Sequence, residues 1–132
     1  MLSRWFGKKD VPLAGAPAVR RQKTYSAQSG YVYQYFYQGQ RPSSPGPGTE
    51  FVFDVSSDRK TSTPVSVFVS AEALEDWQSE MGRILSSAER YAIAKMALFQ
   101  AFDERATPEQ MGEAVRVTPA AVRAILETLN ID

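Results

Sequence analysis

The chain has 132 residues, 43% of them hydrophobic and 23% charged, with no cysteine and no histidine. That is enough chain for one domain with a modest core, built without disulfide staples. The missing residue types exclude a Ser-His-Asp triad, a histidine base, an imidazole metal ligand, a thiolate nucleophile, the usual structural zinc sites and iron–sulfur clusters. Fifteen basic residues balance fifteen acidic ones, but unevenly. Residues 1–23 carry Arg4, Lys8, Lys9, Arg20, Arg21 and Lys23 against Asp10 alone, a net +5, so residues 24–132 carry −5.

Neither GxGxxG nor GxxxxGK[ST] occurs, so no glycine-rich phosphate loop is present. A non-catalytic chain with no cofactor and no metal is the expectation. No apolar run reaches the roughly 18 residues that span a bilayer. The segment Met1–Lys9 lacks the long apolar stretch of a secretory signal, and a cytoplasmic location is therefore expected.

In chain order, residues 1–27 read as a flexible basic arm, with two prolines, small residues and no sustained period. Residues 28–132 read as a single α+β domain, strands over 28–70 and helices over 71–132. The run Tyr31–Tyr37 is dense in strand formers; period 2 sets Tyr31, Tyr33, Tyr35 and Tyr37 on one face and Val32, Gln34 and Phe36 on the other. The stretch Gly39–Gly48, rich in Pro and Gly, reads as a loop. A second strand carries Phe51, Phe53 and Val55 on its core face. After a polar hairpin at 57–63, a third carries Val65, Val67 and Val69. These make a three-stranded antiparallel meander.

After Ser70, a plausible helix cap, the period lengthens: Leu74, Trp77, Gln78, Met81, Ile84 and Leu85 mark an amphipathic helix. Ser86-Ser87-Ala88-Glu89 is a capping box that opens a second helix over about Ala88–Glu104, apolar on most sides and hence central. Two shorter helices are expected near 108–115 and 119–129, completing a four-helix C-terminal half. The segregation of strands from helices is the α+β signature.

Three segments offer themselves for binding. Residues 107–129 resemble a helix-turn-helix: Met111 and Val115 supply one apolar face, Val117 plugs the turn, Val122 and Ile125 face inward, and Arg116 replaces the usual turn glycine. That resemblance implies a DNA-binding regulator with Thr118 and Arg123 on the second helix as readers and the arm on phosphates. The arm itself, through Arg4, Lys8, Lys9, Arg20, Arg21 and Lys23, suits an acidic protein surface, a nucleic acid or an anionic membrane. Trp5 and Phe6 beside these bases resemble an interfacial membrane anchor. The third is the row Tyr31, Tyr33, Tyr35 and Tyr37, which either faces a partner or packs inward against Phe51 and Phe53. Gln34 on the opposite face favours the inward arrangement. The leading expectation is an accessory protein that engages a larger protein partner through its basic arm and its sheet or loop surface.

Overall fold

A computed structural model describes residues 11–132. Five strands form one mixed sheet, a half-barrel in the order β1-β2-β3-β4-β5: β1 Lys23–Ser26, β2 Val32–Pro42, β3 Gly48–Ser56, β4 Thr63–Ser70 and β5 Val115–Arg116. The first four pair antiparallel, and β5 runs parallel to β4 with Val67 opposite Val115. Between β4 and β5 lie α1 (Ala71–Met81), α2 (Ser87–Glu104) and a 3-10 turn at Pro108–Gly112; α3 (Pro119–Thr128) follows β5.

The helices cover one face of the sheet. Phe51, Phe53 and Val55 of β3 and Val65, Val67 and Val69 of β4 are all buried there, as their alternation requires. The tyrosine row points the same way: Tyr33 is 0% and Tyr35 5% exposed. Phe102 of α2 stacks on Tyr33 at 4.3 Å between ring centroids, and Phe99 stacks on Tyr25 at 4.4 Å. Tyr91, earlier on the same helix, meets Tyr37 edge-on at 4.8 Å. Such offset and edge-to-face pairs add to the area each ring buries. The central helix therefore meets an aromatic sheet with aromatic rings of its own.

Both long helices begin as the sequence indicates. Ser70 Oγ accepts from the Ala73 amide, and Ser86 with Glu89 completes a reciprocal capping box. Arg83 donates to both oxygens of Glu89 at 3.0 Å, which ties the α1–α2 connection to the start of α2. The first helix stops earlier than its apolar spacing implies. Gly82 takes the left-handed conformation (φ 68°) as a C-cap, so Ile84 lies outside the helix and is 73% exposed.

Strand β2 continues to Pro42, beyond the expected loop start, because a bulge between Tyr37 and Gly39 absorbs one residue. The bulge inverts the alternation. Tyr37 faces the helices, yet odd-numbered Arg41 lies on the opposite, outer face. There it meets Glu50, which is 1% exposed. Arg41 Nε donates to Glu50 Oε1 at 3.0 Å, and Ser66 Oγ to Glu50 Oε2 at 2.5 Å. The segment ahead of β1 crosses this region, with Ala14 and Gln40 exchanging backbone hydrogen bonds of 2.8 Å. Gly39 (φ 136°) permits that approach, since a Cβ there would sit 2.8 Å from the Ala14 carbonyl oxygen.

The architecture thus corrects the expected three-stranded meander with a four-helix half. Two strands were hidden in the sequence. Lys23–Ser26 lies inside the stretch read as an arm, and Val115–Arg116 is too short to show a period. The helix expected at 108–115 is a five-residue 3-10 turn that ends at Gly112, after which the chain extends to join the sheet. Glycine is a poor helix interior residue, and β-branched Val115 gains a strand partner in β4. Three α-helices remain.

Candidate functional site

The outer face of the sheet carries an open cleft of about 180 Å³ between β2, β3 and the β3–β4 turn. Period 2 brings Gln34 and Phe36 of β2 beside Asp54 and Ser56 of β3, with Gln34 opposite Ser56 and Phe36 opposite Asp54. Gln22, just before β1, closes one side, and Arg59, Lys60, Thr61 and Ser62 of the turn close the other.

The turn is held by its own side chains. Asp58 Oδ1 accepts from the backbone amides of Lys60 and Thr61, each at 2.8 Å, and Oδ2 from Thr61 Oγ1 at 3.0 Å. These bonds to its charged form hold the Asp58 carboxyl down at about 2. Arg59 sits in the left-handed region (φ 63°), its amide donating to Ser56 Oγ at 2.9 Å. A bulky residue there is strained by about 1–2 kcal/mol. Together these contacts fix Arg59 and Lys60, both exposed, at the cleft rim. Deeper in, Asp54 Oδ2 accepts from Ser62 Oγ at 2.8 Å. Gln34 forms the floor at 3% exposure, and its buried Oε1 has no hydrogen-bond partner. Arg20 lays its guanidinium over the Phe36 ring, 4.9 Å from the centroid.

The residues singled out from sequence scatter across the molecule. Arg4, Trp5, Phe6, Lys8 and Lys9 lie outside the described residues. Arg20, Arg21 and Lys23 are exposed where the chain enters the edge strand β1. Tyr31 alone of the tyrosine row is well exposed, at 40%; Tyr33 and Tyr35 are core, and Tyr37 is half-buried. Of the two arrangements the sequence leaves open, the row takes the inward one, because α2 packs Phe99 and Phe102 on that face. Burial, as the leading cause, and the nearby Tyr91 push the Tyr37 hydroxyl up to about 12.

Thr118 and Arg123 are both engaged within the fold. Thr118 Oγ1 caps α3 by accepting from the Ala121 amide, and Arg123 Nη2 donates to Glu80 Oε1 of α1 at 2.6 Å. Ahead of them, Arg105 gathers the carbonyls of Gln110, Glu113 and Ala114, tying the 3-10 turn to the end of α2. The resemblance to a helix-turn-helix reduces to α3 alone.

Sequence reading missed the cleft. Its residues come from four separate stretches, and only strand register makes Gln34, Phe36, Asp54 and Ser56 neighbours. The local signal is Asp54-Val55-Ser56-Ser57-Asp58-Arg59, an Asp-x-Ser-x-x-Gly nucleotide-binding signature that Arg59, standing where glycine is needed, breaks; the turn otherwise reads as a polar hairpin. Among the described residues, no cluster of three or more His, Cys, Asp or Glu side chains could hold a metal ion, and no helix is long and apolar enough to cross a membrane. No protein-family model matches the sequence, and neither the curated proteins nor the solved structures include a significant match to it.

Proposed function

We propose that this chain is a non-catalytic accessory protein that binds a larger protein partner through its basic N-terminal segment and the outer face of its sheet. The supporting observation is the seating of Arg20 on Phe36, which joins the exposed Arg20-Arg21 pair to the sheet surface that also carries Arg59 and Lys60. Arg20, Arg59 and Lys60 thereby gather around Phe36 on the outer face, on a chain whose residues 24–132 carry a net −5. Such a field favours association with an acidic partner surface and makes the association rate sensitive to salt.

The test is a charge reversal. Arg20→Glu/Arg21→Glu and, separately, Lys60→Glu are compared with wild type in affinity capture, with captured proteins identified by mass spectrometry. A partner on this surface is lost or strongly reduced with both variants, while Glu72→Lys on the distant α1 surface retains it. Equal recovery with all forms would remove the basic surface from the account.

A further inference from the structure

The cleft on the outer face carries a second inference, independent of any protein partner. We propose that it binds a small organic phosphate ester, with the phosphate on Arg59 and Lys60 and a hydrogen-donating head group on Gln34 and Asp54. The cleft's chemistry is divided by depth. The rim offers two exposed cations on a turn fixed by Asp58, and Asp58 is itself saturated by that turn. The floor offers acceptors: the orphaned Oε1 of Gln34 and the Asp54 carboxylate, of which only Oδ2 is engaged by Ser62.

A buried amide oxygen left without a donor is costly, and native structures keep few of them. A ligand N–H or O–H reaching the floor would satisfy it, and the flat wall of Phe36 with its Arg20 layer suits a planar or ring-shaped head group. An anion alone would use the rim and leave the floor unsatisfied. A neutral head group alone would use the floor and leave the cations idle. The ester uses both ends of the cleft. The strained left-handed Arg59 fits the same reading: glycine would serve the turn better, and arginine supplies the charge.

The experiment is a ¹H–¹⁵N NMR titration of the full chain with AMP, GMP, glucose 6-phosphate and inorganic phosphate. At least one ester is expected to shift the amides of Gln34, Asp54 and Lys60 with a Kd below about 1 mM, and inorganic phosphate to bind at least about tenfold more weakly. Saturation by a nucleotide identifies a base at Phe36; saturation by the sugar phosphate alone identifies a hexose there. Lys60→Ala should weaken the preferred ester about tenfold, as loss of one charge-assisted contact does. Gln34→Leu should weaken it comparably without changing the inorganic phosphate response. Arg59→Gly, which relieves the backbone and so keeps the fold, should also weaken it about tenfold. The proposal fails if no ester shifts these amides at 5 mM (roughly five times that expected Kd limit). It fails equally if inorganic phosphate matches the esters, which would mean an adventitious ion only, or if Arg59→Gly and Gln34→Leu bind as wild type does.

Discussion

The pair Arg41–Glu50 offers the sharpest test of how the outer face is held. The Glu50 side chain is 2% and the Arg41 side chain 16% exposed. Arg41 Nε and Nη2 reach the two carboxylate oxygens at 3.0 and 3.3 Å, Nη1 donates to the Val11 carbonyl at 3.2 Å, and Ser66 Oγ adds its 2.5 Å bond. Glu50→Ala leaves a mostly covered guanidinium without its counter-charge and a hydroxyl without its acceptor. Removing one partner of a buried pair costs about 3–5 kcal/mol, and the residual access of water to Arg41 puts this case near the lower end. A loss of about 3 kcal/mol is a large part of a typical total stability of about 5–15 kcal/mol. Glu50→Gln keeps the shape and loses the charge, so its cost should be about half as large. In urea unfolding followed by far-ultraviolet circular dichroism, a slope of about 1.5 kcal/mol/M turns 3 kcal/mol into a midpoint lowered by about 2 M. Because the two residues share their bonds, Arg41→Ala/Glu50→Ala should cost at least about 1 kcal/mol less than the sum of the singles. Additivity within about 0.5 kcal/mol, or a Glu50→Ala cost below about 1 kcal/mol, would refute the buried-pair reasoning.

Phe102 is fully buried and stacked on Tyr33, so Phe102→Ala should cost about 3–5 kcal/mol and erase most of the near-ultraviolet dichroism, whereas Phe102→Leu should cost clearly less. Gly39→Ala puts a Cβ against the Ala14 carbonyl at a positive φ, an expected loss of about 1–3 kcal/mol. Hydrogen exchange should then show the Ala14 and Gln40 amides losing their protection. In acid, Asp58 is held at about 2 by hydrogen bonds from Thr61 and Lys60, and Glu89 at about 2 by Arg83 and the Ser86 amide. Their folded values lie below the unfolded ones, so their contribution is present above about pH 4.5 and is lost as pH falls towards 2. Thermal melts across that window should show the melting temperature falling with acid, and a flatter profile for Glu89→Gln. At the alkaline end the sign reverses: Tyr37, raised to about 12, favours unfolding as pH climbs above 10.

Much of the fold was legible because it rests on local pattern. The alternation of Phe51, Phe53 and Val55, the valines of β4, and the Ser86–Glu89 box each specify an element within a few residues. The inward tyrosines were favoured by the same reasoning, since Gln34 occupies the opposite face. The candidate site was not legible, because no local pattern distinguishes a buried Gln34 from a solvated one. Its place is set by strand pairing, which puts it between Thr24 and Ser56, and by Gln22 ahead of β1, which lies beside it in the cleft.

What the sequence determined by itself was chemistry and segregation: no histidine or thiol chemistry, strands before most of the helices, and a basic beginning against an acidic remainder. Tertiary structure alone decided where those charges stand. It turned Lys23–Ser26 into an edge strand, let the bulge after Tyr37 send Arg41 to Glu50, and extended Val115–Arg116 beside β4. The physical reason is common to all three. A strand's side-chain period states which residues share a face, but hydrogen-bonded partners and bulges, set by distant chain, decide which face is covered and by what.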